Sequence, residues 1–153
     1  MATPMGYGLD MGLMEKMVYR RKIRVVRELL LLVAGLEVQA GTKIGKDLQL
    51  QHRGMGIVIH PSTTIGDRVT LYHQVTIGRK DAHIPEADSV MEGIVIGDDA
   101  ILFPGSKVLG GPGVTTVGAR TILAANAVLT QSTGEDEIWA GIPARKVGDR
   151  KVQ

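Results

Sequence analysis

Histidine is the residue type through which this chain could do acid–base chemistry near neutral pH. There are four histidines (His52, His60, His73 and His83) and no cysteine, which excludes a thiol nucleophile, thiolate metal sites and disulfides. A neutral imidazole with an ordinary pKa of about 6.5 suits the role of general base at pH 7. No two of these histidines have the spacing of a metal-binding pair on a helix, so we expect no metal.

His52 has the most distinctive local sequence of the four. It is followed by Arg53, Gly54, Met55 and Gly56, and a glycine-rich bend lets a substrate approach the backbone closely. Taken alone, a single histidine in such a bend is more often structural than catalytic. The bend nevertheless makes His52 the first candidate for a general base.

The other histidines have less suggestive surroundings. His73 lies in a regular stretch, which predicts either a structural role or a place in a substrate pocket. His60 precedes Pro61 in a turn and is interpreted as structural. His83 lies in the longest irregular segment, residues 79–93, and excursions of this kind often carry function.

The elements that must position these histidines follow a six-residue repeat. The period matches neither a helix nor an alternating strand, so an ordinary β-sandwich is not favoured. It fits a coil of short flat faces with one inward aliphatic residue on each face, and stacked coils of this kind bury a continuous column. The repeating aliphatic residues are Val38, Ile44, Leu50, Ile59, Ile65, Leu71, Ile77, Ile96, Leu102, Val108, Val117, Leu123 and Leu129.

Three breaks in the repeat mark insertions. The longer steps fall within residues 50–59, 77–96 and 108–117. His52 lies in the first of these and His83 in the second. The breaks therefore predict where loops leave an otherwise regular stack, and two of the three contain a histidine.

The composition agrees with an aliphatic coil. Aromatic residues make up 3%, glycine numbers 20 and hydrophobic residues make up 44%, so aliphatic side chains must fill the core. With 22% charged residues the chain is globular rather than disordered. A net charge of +2 is weak support for nucleic-acid binding, and no such partner is expected.

Residues 10–35 are predicted to form one amphipathic helix ahead of the repeat. Asp10 is a suitable N-cap and Gly35 a suitable terminator. The helix is basic and could contact an anionic membrane surface, but basic residues interrupt both faces, so packing on the domain or on a partner subunit is favoured. No signal peptide or membrane-spanning run is visible, and we expect a cytoplasmic protein.

The repeat and its local motifs resemble the hexapeptide-repeat acyltransferases, which fold as left-handed parallel β-helices. The runs are most similar to the serine acetyltransferase branch and to its short relatives that acetylate glycans. The resemblance implies an all-β, left-handed parallel β-helix over residues 37–147, preceded by an N-terminal segment (1–36) with one α-helix and followed by a tail (148–153). The matching runs are Lys43-Ile44-Gly45, Leu50-Gln51-His52, Gly56-Ile57-Val58-Ile59, Leu71-Tyr72-His73-Gln74-Val75-Thr76-Ile77-Gly78 and Ala140-Gly141-Ile142-Pro143-Ala144-Arg145-Lys146-Val147.

The same resemblance implies an acetyl-CoA-dependent O-acetyltransferase that modifies a small hydroxyl compound. His52 occupies the position of the family's general base, and Glu37, fifteen residues earlier, that of its acidic partner. The family assembles as homotrimers with active sites between subunits, so a homotrimer is expected. The implied acceptor-binding residues are Gln51, Arg53, His73 and His83, and the implied coenzyme A residues are Pro104, Gly105, Ala125, Arg145 and Lys146.

Two alternatives stay open at this point. The family's aspartate before the catalytic histidine is Gln51 here, and its Gly-Gly-Thr run is Arg79-Lys80-Asp81, so the acceptor hydroxyl could belong to L-serine or to a sugar or glycan. The other alternative is a trimer of another class, either non-catalytic or similar to carbonic anhydrase. A carbonic-anhydrase-like protein would need three histidines placed to bind zinc between subunits.

Overall fold

The computed structural model describes residues 12–151, and most of these wind into a three-sided parallel β-helix. Sheet A contains β1 (Glu37–Val38), β4 (Val58–Ile59), β7 (Thr76–Arg79), β10 (Lys107–Gly110) and β13 (Val128–Leu129). Sheet B contains β2 (Lys43–Ile44), β5 (Thr63–Ile65), β8 (Met91–Ile96) and β11 (Gly113–Val117). Sheet C contains β3 (Gln49–Leu50), β6 (Thr70–Leu71), β9 (Ile101–Leu102), β12 (Ile122–Leu123), β14 (Glu137–Gly141) and β15 (Ala144–Asp149).

The inward aliphatic residues of successive coils stack directly on one another. In sheet A, Val38 pairs with Ile59, Ile59 with Ile77, and Ile77 with Val108, all in parallel. Every residue of the six-residue series is buried except Ile44, which is partly buried. The aliphatic column that the repeat predicts is therefore confirmed, and it supplies the hydrophobic stabilisation that the scarce aromatic residues do not.

Three columns of turns join the three sheets. The turns from sheet A to sheet B carry two of the insertions, including residues 79–93. The turns that lead into sheet C are here named the charged turns. Residues 45–48, 66–69, 97–100 and 118–121 come from strands of sheet B, and residues 134–136 precede β14 in the same column. The turns from sheet C to sheet A are named the site turns, and they comprise residues 51–57, 72–75, 103–106 and 124–127.

The N-terminal segment forms two helices, and the expectation of one continuous helix is wrong. Helix α1 (Gly12–Tyr19) and helix α2 (Arg24–Ala34) are separated by a turn. The buried guanidinium of Arg21 holds this turn, because it donates hydrogen bonds to the carbonyls of Val18 and Thr42. Gly35 ends α2 in the left-handed conformation (φ 60°), as predicted, whereas Asp10 lies outside the described residues.

The helix pair is fixed to the first coil through polar contacts. The Tyr19 hydroxyl donates to the Gly45 carbonyl (2.7 Å) and accepts from the Leu48 amide (3.1 Å). A carboxylate oxygen of Glu15 accepts from the Leu50 amide (3.0 Å). These bonds provide partners for backbone groups of the first coil, which has no preceding coil to pair with. Neither helix within residues 12–151 is long and apolar enough to span a bilayer.

The other end of the stack is closed by an antiparallel hairpin. Strand β14 pairs in parallel with β12, but β15 returns antiparallel to β14. Trp139 is buried at this end, and its indole N–H donates to Glu137 (2.8 Å). The apolar surface of the last coil is thereby covered, and the indole donor has the partner that a buried Trp needs.

Candidate active site

His52 lies in a strained bulge in the first site turn. Residues 51–54 form a tight irregular turn in which His52 (φ 52°) and Arg53 (φ 61°) both adopt left-handed backbone conformations. Each such non-glycine residue costs about 1–2 kcal/mol. Gly54 is buried against Leu36 and Leu50, so the chain turns outward here and leaves the side chain of His52 exposed. Strain of this kind concentrates at functional sites.

His73 packs against His52 from the next coil. The two imidazole rings meet edge to face, with their centroids 4.9 Å apart and an interplanar angle of 86°. The Nδ1 atom of His73 is buried and has no hydrogen-bond partner among residues 12–151. A buried polar atom without a partner destabilises the protein until a ligand, water or neighbouring chain supplies one. The His73 side chain as a whole is half-buried, so part of the ring stays accessible beside His52.

An open cavity of about 450 Å³ lies beside the two histidines. Three of its lining residues, Ala34, Gly35 and Gln74, were not anticipated from the sequence, and they belong to the end of α2 and to the second site turn. Gln74 has a left-handed backbone (φ 60°), a position that Gly105 (φ 69°) and Asn126 (φ 57°) occupy in later coils. The repeat itself is the signal that could have identified Gln74. The lining residues are Ala34, Gly35, His52, Met55, Gly56, His73 and Gln74.

Two aromatic rings stack on each other in the second and third site turns. Tyr72 and Phe103 stack nearly parallel, with centroids 5.0 Å apart and an angle of 8° between the ring planes. The Tyr72 ring lies 6.2 Å from that of His52. Both side chains are only partly buried, so the pair offers an apolar surface next to the histidines.

The site turns form one continuous column of backbone hydrogen bonds. The Gln74 amide donates to the Met55 carbonyl (2.8 Å), and the Gly105 amide donates to the His73 carbonyl (3.1 Å). The Asn126 amide then donates to the carbonyl of Pro104 (2.9 Å). The column therefore brings Pro104, Gly105 and Ala125 into line with the two histidines. These are three of the residues expected to bind coenzyme A.

Gly105 lies directly against the exposed side chain of Asn126 in this column. A Cβ atom there would lie 2.3 Å from Oδ1 of Asn126. The Lys107 ammonium group also belongs to this region, because it donates to the Gly105 carbonyl (2.8 Å). Sequence reasoning missed Lys107, whose position relative to the column depends on the turn geometry. Its positive charge suits a phosphate-bearing ligand.

Other expected site residues lie apart from His52 within this chain. Glu37 accepts a hydrogen bond from the Gln39 amide (3.0 Å) and makes no ion pair with His52 within 4.0 Å. Arg145 is exposed and donates only to the Ala144 carbonyl among the described residues. The Lys146 ammonium group contacts Glu137 (3.0 Å) and Asp149 (2.7 Å). Hydrogen bonds to these carboxylates raise the pKa of Lys146.

The insertion that carries His83 is anchored at the corner between sheets A and B. Arg79 contacts Asp81 (3.4 Å), and the Ser89 hydroxyl donates to the other Asp81 oxygen (2.8 Å). His60 accepts a hydrogen bond from the Ser62 amide (3.1 Å) and lies 3.7 Å from Glu86. Burial lowers the pKa of His60. His83 itself is exposed and does not line the cavity beside His52.

Gln51 and Arg53 flank His52 in the bulge. Gln51 is partly buried and the Arg53 side chain is exposed beside His52. Among residues 12–151, no group of three or more His, Asp or Glu side chains is arranged to hold a metal ion.

Comparison with known proteins gives a consistent result. No protein-family model matches the sequence. The chain is 35% identical over 128 residues to a serine acetyltransferase from Staphylococcus epidermidis. The aligned region covers 81% of this chain and 54% of the relative. The chain thus spans about half the length of the curated relatives that it matches.

Solved structures share the fold. The serine acetyltransferase from Vibrio cholerae O1 biovar El Tor superposes with a TM-score of 0.73 at 22% identity, over 88% of this chain and 50% of that one. The serine acetyltransferase from Brucella abortus in complex with coenzyme A gives 0.72 at 21% identity, over 93% and 54%. The left-handed parallel β-helix and the resemblance to serine acetyltransferases are both confirmed.

Proposed function

We propose that this chain is an acetyl-CoA-dependent O-acetyltransferase in which His52 is the general base. The observation that carries the proposal is the pairing of an exposed His52, held in a left-handed bulge, with a half-buried His73 at the edge of an open cavity. The similarity to proteins named serine acetyltransferases supports acetyl transfer as the reaction.

The chemistry requires one proton acceptor and two aligned substrates. A ring nitrogen of His52 takes the proton of the acceptor hydroxyl as its oxygen attacks the thioester carbonyl. The new C–O bond forms, the C–S bond breaks, and the imidazolium returns the proton to the leaving thiolate. A positioned base contributes about 10²–10⁴-fold, and alignment of the two substrates contributes further.

The donor would lie along the site turns. Gly105 and Ala125 have small or no side chains, so a long substrate can approach the backbone of residues 104–105 and 125 closely. Lys107 and Arg145 are the cations that would meet phosphate groups. Lys146 would contribute less, because Glu137 and Asp149 already neutralise its charge.

The acceptor would occupy the cavity beside His52. Its hydroxyl groups would bond to His73 and Gln74, with Gln51 and Arg53 at the rim. Because the relatives are named serine acetyltransferases, L-serine is the first acceptor to test, and a sugar or glycan hydroxyl is the second. Glu37 would orient the imidazolium as in a catalytic triad. That role requires its carboxylate to leave Gln39 and turn toward His52.

The proposal includes assembly as a homotrimer. Within one chain, the exposed His83 does not line the cavity beside His52. In a trimer, the loop that carries His83 in one subunit would face the cavity of the next subunit. Sedimentation equilibrium of the full chain should then give three times the mass of 16.4 kDa. A monomer under conditions of full activity would contradict this part of the proposal.

The decisive experiment measures thiol release from acetyl-CoA across a panel of acceptors. The panel contains L-serine, L-homoserine, amino sugars and simple glycans, each with wild type and His52→Ala. We expect one acceptor to drive thiol release in the wild type only. If no acceptor does so and coenzyme A does not bind, a non-catalytic β-helix becomes the better explanation.

A further inference from the structure

Helix α2 carries an apolar stripe that nothing in residues 12–151 covers. Val25, Leu29, Leu32 and Val33 follow the i, i+4, i+7, i+8 pattern of one helix face, and they are 61%, 44%, 82% and 72% exposed. The sequence favoured packing of this helix on the domain or on a partner subunit, but within the described chain only Leu30 of the helix is fully buried. A contiguous exposed patch of this kind marks an interaction surface rather than the scattered apolar residues normal for a protein surface.

Four exposed cations belong to the same pair of helices. Lys16, Arg20, Lys22 and Arg24 have no ion-pair partner within residues 12–151, and Glu28 is the exposed carboxylate of the helix pair in that range. In the rest of the described chain, four of the twelve Lys and Arg side chains are paired with carboxylates, namely Arg68, Arg79, Arg120 and Lys146. The cluster therefore produces a positive potential beside the apolar stripe.

The stripe leads from the cations to the cavity beside His52. Three of the cations lie at or just before the beginning of α2, whereas Leu32 and Val33 lie at its end. The next two residues, Ala34 and Gly35, line the cavity. Tyr19 and Glu15 fix the helix pair to the first coil, so the stripe and the cavity keep this relation.

We propose that this surface binds an anionic lipid bilayer, with the stripe at the boundary of the acyl chains and the four cations on phosphate headgroups. A basic helix with a separate apolar face is the usual element for such binding. A bilayer supplies both the apolar phase and the negative charge, whereas a protein partner would need carboxylates placed against each of the four cations. Binding brings the cavity beside His52 to the membrane surface.

The test is sedimentation of the purified full chain with phosphatidylcholine vesicles, with and without 30% phosphatidylglycerol. We expect binding to the anionic vesicles only, and weaker binding at 0.5 M than at 0.1 M salt because ions screen the attraction. Arg20→Gln/Lys22→Gln/Arg24→Gln should weaken it by roughly fivefold for each charge removed. Leu32→Gln/Val33→Gln should weaken it by about tenfold or more.

Matched variants at other surface positions distinguish binding through this surface from nonspecific adsorption to vesicles. Val114→Gln removes another exposed aliphatic residue (49% exposed), and Lys80→Gln/Lys151→Gln removes two exposed cations outside the helices. Both should bind as the wild type does. Thermal melting checks folding, and Leu32→Gln alone replaces the double variant if the latter unfolds.

Four results would overturn the proposal. The first three are equal binding to neutral and anionic vesicles, no binding to either, and unchanged binding of the stripe variant. The fourth is a change in the mass of the stripe variant without lipid, measured by light scattering. That change would mean that a second copy of the chain covers the stripe.

Discussion

The charged turns and the site turns use the same backbone conformation for different ends. Arg68, Asp99 and Arg120 in the charged turns have φ values of 55–59°, and Gln74 and Asn126 in the site turns have 60° and 57°. A left-handed residue is what lets a short strand turn the corner of a coil. The left-handed backbone conformation therefore forms the turn in both columns, and the side chains determine whether a turn makes ion pairs or lines the cavity.

In the charged turns, side chains tie one coil to the next. Arg68 donates two bonds of 2.8 Å to Asp99, and Arg120 donates bonds of 2.6 and 2.8 Å to Asp136. Arg150 adds bonds to the carbonyls of Asp99 and Arg120, each 2.9 Å. Among the described residues, the site turns contain no ion pair, and the first two of them line the cavity beside His52. Their side chains remain available for chemistry.

The largest expected effect lies in the site turns. His52→Ala should lower kcat by about 10²–10⁴-fold, because the hydroxyl proton loses its acceptor, while Tm stays near that of the wild type. Steady-state thiol release and thermal melting measure the two quantities. His60→Ala is the matched imidazole control and should retain activity. An active His52→Ala would mean that the base is elsewhere, with His73 the next residue to test.

A glycine in the charged turns should show the opposite behaviour. A Cβ atom at Gly66 would lie 2.3 Å from Oδ1 and 2.8 Å from the backbone N of Asp98, so the coils must shift apart. Gly66→Ala should lower the free energy of unfolding by about 1–3 kcal/mol, with kcat per folded molecule retained. Urea denaturation checks this against Gly148→Ala, where nothing lies within 4 Å. Equal stability of the two variants would contradict close stacking at Gly66.

Acid should weaken the charged turns selectively. Hydrogen bonds from Arg68 and Arg120 lower the pKa values of Asp99 and Asp136 below the ordinary carboxyl value. Their stabilisation is therefore complete above about pH 4, and it is lost as the pH falls through the lowered pKa values. Urea denaturation between pH 6 and 2.5 should show a smaller loss for Arg120→Gln than for the wild type. Arg145→Gln should follow the wild type, and identical curves for all three proteins would refute this account.

The smallest expected effect distinguishes the contribution of the left-handed backbone from that of an ion pair within the charged turns. Asp47 has a left-handed backbone (φ 55°) and makes no ion pair with residues 12–151, whereas Arg68, one coil later, does. Asp47→Gly should change the free energy of unfolding by about 0.5 kcal/mol or less, because relief of the left-handed strain offsets the flexibility of glycine. Arg68→Gly should destabilise more, as it also loses the bonds to Asp99. The same denaturation series compares them, and equal effects would mean that the ion pair contributes nothing measurable.

Much of this architecture follows from the spacing of residues, and the remainder depends on contacts between distant segments. The six-residue series predicted the buried column, and pairing of coils in register places His52 one coil below His73. The break between α1 and α2 could not be predicted in this way, because it depends on Arg21 reaching the Thr42 carbonyl. Ala34 and Gly35 enter the cavity only through the docking of α2. The pairing of Glu37 with His52 stays a prediction.

The reversed direction of β15 has a consequence for growth of the stack. A regular coil is a template for another coil, so an open end could recruit strands from other molecules and extend into a fibre. At one end, β15 places a strand of opposite direction where the next coil would begin. At the other end, Tyr19, Glu15 and Arg21 already occupy backbone groups that an incoming strand would need. A fold that is periodic throughout its interior is thereby kept finite at both ends.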